Sequence, residues 1–260
     1  MTEHFDGRGV LFPARLPSFH RVPVSDPVSA LVHWFWIPRW RLAPGTSSRQ
    51  EVLPFPASNL VIEPDGVSLA GPTTGASHRV LTGEGWAVGA LLRPAALATL
   101  VADPREIRNT ARPCAEPDLH RAVTAAMHDA NEPRAREEAV RLFTEWVLTH
   151  LPAPDDRGLL ANRMETLIAS DRSVVRLSQV AERLGVSIRA AQRLAERYVG
   201  LPPLAIIRRY RLQEAAERVR ADPGLSIAQI AAELGYADHA HLTADFRHVL
   251  GFTPTSYRRT

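Results

Sequence analysis

Lysine is absent from this sequence and cysteine occurs once, so all 31 basic side chains of the 260 residues are arginines. The single cysteine, Cys114, excludes an intramolecular disulfide, and the fold therefore does not depend on an oxidising compartment. No apolar run approaches the roughly 18 residues that a membrane-spanning helix requires. The first ten residues lack the basic and apolar pattern of a secretory signal. We therefore expect a cytoplasmic protein without a membrane partner.

Signatures of the common enzyme classes are also missing. The sequence contains no G-x-S-x-G, no P-loop and no G-x-G-x-x-G. Its ten histidines lie without cysteine or acidic partners at the spacing of a metal site. We therefore expect no catalytic residues, no metal and no cofactor, and we expect that the protein is not an enzyme.

Charge is distributed unevenly along the chain. Residues 156–260 contain 16 arginines and 11 acidic residues, a net charge of +5. Residues 1–155 contain 15 arginines and 17 acidic residues, a net charge of −2. A GC-rich genome accounts for the arginine content by itself, but the asymmetry favours a polyanionic partner for the C-terminal part.

Short β-type runs separated by turn signals fill the first hundred residues. They are LVHWFWI at 31–37, NLVIEP at 59–64, GVSLAG at 66–71 and GWAVGALL at 85–92. Two stretches with helical spacing follow, and the proline-containing LPAPDD at 151–156 then breaks the periodicity. We expect an α+β protein: a mostly-β sheet or barrel domain with two following helices over residues 1–155, then an all-α domain over residues 156–260.

A helical pattern occurs twice in the C-terminal part. QVAERLGVSIRAAQRLAERYVGLPP at 179–203 and IAAELGYADHAHLTADFRHVLGFTP at 230–254 each predict a short helix, a glycine turn and a second helix. Gly185 and Gly235 stand at the turns, where glycine adopts the positive φ that other residues resist. Ser187 and Asp238 are suitable N-caps for the second helices. The pattern is typical of two helix-turn-helix units.

A long predicted helix joins the two units, beginning at Pro202 or Pro203 and ending near residues 222–224. About 20 helical residues span about 30 Å, and one turn of DNA is about 34 Å. Two second helices on one chain could therefore enter successive major grooves of one duplex. The same repeat could be a packing device in any helical protein, but its duplication in an arginine-rich segment favours DNA binding.

These residues resemble the DNA-binding domain of AraC/XylS-type transcription regulators. The resemblance covers residues 156–260 and is carried by LSQVAERLGVSIRAAQRLAERYVGLPP and IAQIAAELGYADHAHLTADFRHVLGFTPTSYRR. It implies sequence-specific binding to double-stranded promoter DNA and control of transcription, most often activation, with RNA polymerase as a partner. It also implies that residues 1–155 sense a small-molecule effector or form a homodimer.

In the first recognition helix, the family's base-reading positions fall on Arg189, Gln192 and Arg193. Arginine donates two hydrogen bonds to guanine, and glutamine pairs with adenine. Arg197, one turn further on, is expected at a phosphate or in solvent. The positions expected to face the core are Ala191, Leu194 and Ala195.

In the second recognition helix, His239, Ala240 and Thr243 match base-facing positions of the family. Arg247 is expected at a phosphate. Ala244 departs from the pattern, because relatives often carry arginine or lysine there. An alanine cannot donate a hydrogen bond to a base, although it can touch a thymine methyl group. The positions expected to face the core are Leu242 and Phe246.

Three tryptophans, Trp34, Trp36 and Trp86, are candidates for lining an effector pocket, since such pockets are largely apolar and aromatic. Alternation along VHWFWI places Trp34 and Trp36 on one face of a strand. Packing in the core is the alternative for these side chains. Likewise, the helices between 117 and 150 either form a dimer interface or pack onto the sheet of their own chain.

A protein-interaction adaptor is the alternative function. Such a protein would retain the helix-turn-helix scaffold without specific DNA binding, and Ala244 is the residue that supports it. The adaptor predicts that Arg189→Ala and Arg193→Ala leave the affinity for DNA unchanged.

Overall fold

An antiparallel sheet forms the N-terminal half of the computed structural model, which describes residues 18–52, 54–222 and 224–259. The strands are β1 (Phe19–Pro23), β2 (Val32–Arg41), β3 (Ser47–Val52), β4 (Asn59–Glu63), β5 (Gly66–Ala70), β6 (Ser77–Thr82), β7 (Glu84–Trp86), β8 (Val88–Leu92) and β9 (Ala111–Cys114). The principal strands of the sheet follow the order β1-β2-β8-β4-β5-β9, and β7 pairs with β2. β3 and β6 pair with each other in a separate two-stranded sheet.

Three helices accompany this sheet: α1 (Pro94–Leu100), α2 (Pro117–Met127) and α3 (Glu132–His150). The buried faces of α2 and α3 join the sheet in one hydrophobic core, which runs from Val28 to Leu151 and which we call the N-terminal core. Packing onto the sheet of the same chain is therefore the correct alternative for the apolar residues of α2 and α3. The apolar residues with which these helices could have formed a dimer interface are all buried, namely Leu119, Val123, Phe143 and Trp146.

The C-terminal half is helical throughout. Its helices are α4 (Asp156–Ser170), α5 (Leu177–Leu184), α6 (Ile188–Tyr198), α7 (Pro203–Ala221), α8 (Ile227–Glu233), α9 (His239–Leu250) and α10 (Pro254–Arg258). The predicted α+β class, with a mostly-β half followed by a helical half, is confirmed.

Two further hydrophobic cores lie in the helical half, and α7 contributes to both. Ile206, Ile207 and Tyr210 of α7 pack with α4, α5 and α6 in the first-unit core. Leu212, Ala216 and Val219 pack with α8, α9 and α10 in the second-unit core. One continuous helix therefore fixes the two units relative to each other.

Some elements of the N-terminal half have no counterpart in the sequence prediction, namely β1, β3, β6, β9 and α1. The two-stranded β3–β6 sheet pairs polar segments such as SSRQEV, and most of β6 is exposed. Hydrophobic alternation, the signal that marks a half-buried strand, is absent from such segments.

Within the described residues, no helix is long and apolar enough to cross a membrane.

Candidate nucleic-acid interface and effector cavity

The first helix-turn-helix unit consists of α5 and α6. Gly185 ends α5 with φ 66°, in the left-handed region that favours glycine. The Ser187 side chain then accepts a hydrogen bond from the backbone N–H of Ala190 at 3.1 Å and begins α6. Buried Val180 and Ala181 of α5 face the buried side of α6. The predicted turn and cap are confirmed. The core-facing residues of α6 are Ala191, Leu194 and Ala195, as predicted.

The outer face of α6 presents the three residues predicted to read bases. Arg189, Gln192 and Arg193 are all exposed. Within the described part of the chain, no hydrogen bond or ion pair engages these three side chains. Other arginines of the helical half are already occupied: Arg183 pairs with Asp171, and Arg172 lies 2.6 Å from a carboxylate oxygen of Glu214. The outer face of α6 thus retains its full capacity to donate hydrogen bonds.

Arg197 is exposed, and it also contacts the N-terminal half of the chain. Its Nη1 donates a hydrogen bond to the backbone carbonyl of Ala102, in the N-terminal half. Asp103 lies beside it, and hydrogen bonds from Arg105 lower the pKa of Asp103 to about 2, so this carboxylate stays negative close to Arg197. The exposed Arg197 thus contacts the N-terminal half, which the sequence did not predict.

The chain just after α6 approaches the same N-terminal segment closely. A Cβ atom on Gly200 would lie 2.7 Å from the carbonyl carbon of Pro104, and φ at Gly200 is 78°. Only glycine satisfies both the backbone conformation and the contact. The C-terminal end of the first recognition helix is therefore docked on residues 102–105.

The second helix-turn-helix unit consists of α8 and α9. Ser226 and Gln229 form a capping box at the start of α8. Gly235 has φ 72°, and a Cβ atom there would lie 2.5 Å from Cγ1 of Val175, so the turn also touches the loop before α5. The Asp238 side chain accepts a hydrogen bond from the N–H of His241 at 2.7 Å and begins α9, as predicted. The expected core residues Leu242 and Phe246 are fully buried.

The outer face of α9 is less polar than that of α6. His239, Ala240, Ala244 and Arg247 are exposed, whereas Thr243 is half-buried. Aligning the caps Ser187 and Asp238 places Arg189 opposite Ala240, Gln192 opposite Thr243 and Arg193 opposite Ala244. The second unit therefore has fewer side chains that can donate hydrogen bonds to bases.

His241 packs against a residue from the turn of the second unit. Its ring stands edge-on to Tyr236 at 5.3 Å. The Tyr236 hydroxyl donates a hydrogen bond to Oδ2 of Asp245 at 3.0 Å, and burial raises the pKa of that hydroxyl. These contacts tie the turn of the second unit to α9.

A buried carboxylate joins the two halves of the chain. Glu165 of α4 is 1% exposed. Oε2 of Glu165 lies 3.0 Å from Nε2 of His33 on β2 and 3.7 Å from Nη1 of Arg93, and Oε1 accepts a hydrogen bond from the hydroxyl of Tyr210 on α7. Burial by itself would raise the pKa of Glu165, but His33, Tyr210 and Arg93 together hold the pKa below its ordinary value. The ionised carboxylate therefore links β2, α4 and α7.

Further hydrogen bonds cross the same boundary. The Asn162 side chain accepts from the N–H of Ala95 at 3.0 Å and donates to the carbonyl of Ala30 at 2.8 Å. The buried Gln213 donates to the carbonyl of Pro54 at 2.9 Å. Sequence patterns gave no signal for this docking, apart from the acidic Glu165 within an otherwise apolar stripe of α4.

A cavity of about 550 Å³ lies between the main sheet and the two-stranded β3–β6 sheet. Its walls include Trp34, Trp36, Trp40 and Phe55, with the guanidinium of Arg21 4.4 Å from the centre of the Trp34 ring. Trp34 and Trp36 therefore reach the predicted location on one face of β2. Trp86 does not line the cavity, because it is buried in the N-terminal core.

The wall of the cavity also touches the helical half. Phe55 stands edge-on to Trp34 at 6.1 Å and to Tyr210 of α7 at 5.8 Å. The backbone N–H of Ala76, in the loop between β5 and β6, donates to the carbonyl of Val249 near the end of α9 at 2.9 Å. Two wall segments of the N-terminal half therefore contact the two-unit domain directly.

Among the described residues, the histidine, cysteine, aspartate and glutamate side chains do not form a metal site. No group of three or more of them could hold a metal ion. Cys114 is half-buried on β9, and burial raises the pKa of its thiol. A thiol with a raised pKa is a weak nucleophile.

Two family models match separate parts of the chain. Residues 180–260 match a family described as a helix-turn-helix domain. Residues 20–111 match a family described as a domain of unknown function, DUF6597. The HTH-type transcriptional activator RhaS of Escherichia fergusonii is 31% identical over 80 residues, which are 31% of this chain and 28% of that protein. The match therefore spans little more than a quarter of the relative's length.

Two solved structures illustrate the extent of the likeness. The C-terminal domain of AraT, a response regulator from Geobacillus stearothermophilus, is 26% identical, covers 40% of this chain and 88% of its own, and has a TM-score of 0.37. ToxT from Vibrio cholerae O395 is 13% identical, covers 86% of this chain and 97% of its own, and has a TM-score of 0.47.

The matched family is a helix-turn-helix domain and the sequence relative is a transcriptional activator, which agrees with the prediction that the chain is not an enzyme. The match begins at Val180, within α5, and includes both units that the structure describes. Residues 180–260 thus form a helix-turn-helix domain of the type found in AraC/XylS regulators.

Proposed function

We propose that this chain is a sequence-specific DNA-binding regulator that activates transcription, with α6 and α9 entering successive major grooves of promoter DNA. The proposal rests on one observation: two capped recognition helices expose their first turns, and α7 joins the two units rigidly. Arg189, Gln192 and Arg193 are exposed and unengaged among the described residues, as direct reading of bases requires. The net charge of +5 on residues 156–260 favours the same partner. Since promoter DNA is the target, we propose that the protein acts in the cytoplasm and contacts RNA polymerase there.

The two units differ in what they could recognise. The first unit presents two arginines and a glutamine, whereas the second presents His239, Ala240 and a half-buried Thr243. We therefore expect two unlike half-sites, of which the first is read more strictly. Arg247 is exposed on α9 and is proposed to contact a phosphate, so the second unit would contribute affinity more than specificity.

Selection from random duplexes tests this function directly. The full chain is mixed with a random DNA library and the bound sequences are recovered. The affinity for the most enriched sequence is then measured at several salt concentrations. Enrichment of two half-sites about one helical turn apart supports the proposal. Enrichment of four half-sites indicates a homodimer on DNA. Weak binding that depends steeply on salt, without enrichment, supports the adaptor alternative.

The cavity in the N-terminal half suits a small effector. Its volume lies within the range of about 300–1,000 Å³ that is usual for ligand sites. Its aromatic walls favour a flat, largely apolar molecule, and Arg21 adds a positive charge to the lining. Because Phe55 and the loop at Ala76 belong to this region and touch α7 and α9, an occupant could alter the positions of both units.

Intrinsic tryptophan fluorescence offers a test of this second part. Trp34 and Trp36 line the cavity, so an aromatic ligand within it should quench the emission of the wild type. Trp36→Phe should reduce that quenching, whereas Trp86→Phe, a change in the N-terminal core, should leave the ligand-dependent part unchanged. Equal quenching in the wild type and in Trp36→Phe would contradict an effector site at this cavity.

A further inference from the structure

The first recognition helix begins with an exposed apolar side chain. Ile188 is the first residue of α6 and is 51% exposed. Within the described residues, no other large hydrophobic side chain of α6 or α9 is exposed. One apolar group therefore stands on the surface that faces DNA in the proposed function.

The local structure does not require an isoleucine at this position. Ser187 supplies the N-cap, and the preceding Val186 is half-buried with its N–H bonded to the carbonyl of Ala181 at 2.9 Å. A β-branched residue has no advantage in helix propensity over the unbranched alternatives. The start of α6 is thus held by its neighbours, while Ile188 projects into solvent.

Ile188 lies beside the predicted base-reading residues. It precedes Gln192 by four positions, so the two side chains occupy the same side of the helix. Glutamine can pair with the N6 and N7 atoms of adenine, whose partner thymine carries a C5-methyl group into the same major groove. An exposed aliphatic side chain next to Gln192 is complementary to that methyl group.

We propose that Ile188 contacts the C5-methyl group of a thymine in the first half-site, at or next to the base pair that Gln192 reads. Ile188 is then a specificity-determining residue, an inference that rests on the proposed DNA-binding function. The contact is confined to the first unit, because the aligned caps place the polar His239 at the equivalent position of α9. The two half-sites therefore differ in their requirement for thymine.

Replacement of thymine by deoxyuridine tests the contact, since deoxyuridine lacks only the C5-methyl group. Each thymine of the selected site is replaced in turn, and the affinity of the full chain is measured for the wild type and for Ile188→Ala. The wild type should lose about three- to ten-fold in affinity at one thymine of the first half-site, the size expected for one apolar methyl contact. Ile188→Ala should bind both versions of that site equally.

Leu204 provides the matched control. It is 45% exposed at the start of α7, outside both recognition helices, so Leu204→Ala should retain the wild-type response to deoxyuridine. Far-ultraviolet circular dichroism and thermal melting verify that both variants fold. If Ile188→Ala discriminates between thymine and deoxyuridine as the wild type does, the proposed role of Ile188 is wrong. The same holds if the wild type binds every deoxyuridine-substituted site as tightly as the original site. Neither outcome contradicts the DNA-binding function itself. Failure of the full chain to select any sequence overturns the proposed function, and this inference with it.

Discussion

Phe55 and Tyr210 meet edge-on, with 5.8 Å between their ring centres, across the boundary between the two halves of the chain. Phe55 belongs to the wall of the cavity, and Tyr210 belongs to the helix that joins the two helix-turn-helix units. The Tyr210 hydroxyl also donates to the buried carboxylate of Glu165. A change at the cavity wall therefore has a direct physical route to α7.

Removing the ring at this contact should uncouple the two halves. Phe55 is half-buried, so we expect Phe55→Ala to lower the free energy of unfolding by about 1–3 kcal/mol, less than a fully buried phenylalanine would. We also expect calorimetry to resolve two unfolding transitions where the wild type has one. Leu148→Ala, at an exposed residue of α3, is the control. A single transition in Phe55→Ala would mean that the other contacts across the boundary suffice.

Glu165 should make the docking of the two halves sensitive to acid. The pKa of Glu165 is lowered in the folded chain, so its stabilisation is present above the ordinary carboxyl pKa of about 4.3 and is lost as the pH falls through the folded-state value. Glu165→Gln should lower the free energy of unfolding at pH 7 by about 2–4 kcal/mol, because His33 and Arg93 lose their buried partner. It should also flatten the loss of stability below pH 5.

Urea denaturation between pH 3 and pH 8 measures this effect. Glu145→Gln serves as the control, since Glu145 is exposed on α3 and pairs only at the surface with Arg141. A pH profile of Glu165→Gln parallel to that of the wild type would show that other carboxylates control the acid response.

Arg189→Ala and Arg193→Ala should weaken binding to the selected DNA site. Each arginine is exposed on α6 and unengaged among the described residues, so we expect each substitution to cost about 1–3 kcal/mol and to relax specificity at one base. Fluorescence anisotropy against the selected duplex and against single-base variants measures both quantities. Arg134→Ala, at an exposed position of α3, should behave as the wild type. Unchanged affinity in both α6 variants would favour the adaptor function.

Arg197→Ala distinguishes domain docking from phosphate binding. Because Arg197 donates to the carbonyl of Ala102, its removal should loosen the segment 102–112, in which trypsin can cleave after Arg105 and Arg108. We therefore expect faster tryptic cleavage in this segment and an unchanged salt dependence of DNA binding. Arg193→Ala, on the same helix, should not alter the cleavage. A salt slope reduced by about one in Arg197→Ala would instead support the phosphate contact that the sequence predicted.

The helix-turn-helix units were the most predictable part of the molecule, because their boundaries depend on local interactions. Gly185 and Gly235 adopt the positive φ expected at the turns, and Ser187 and Asp238 cap the helices that they precede. Capping and left-handed glycines involve residues within a few positions of each other, so the sequence records them directly. The strands β3 and β6 were not predicted, because polar and largely exposed strands lack a hydrophobic period.

The sequence by itself determined the helical class of the C-terminal half, its two units and the residues that face outward from α6. Only the tertiary structure decided that Arg197 faces Ala102, that Trp86 is buried in the N-terminal core, and that Glu165 joins β2 to α7. Each of these contacts joins residues that are tens of positions apart or more, as Asn162 and Ala30 are. Their pairing depends on the complementary shape of two packed surfaces, and no local pattern of side chains encodes that shape.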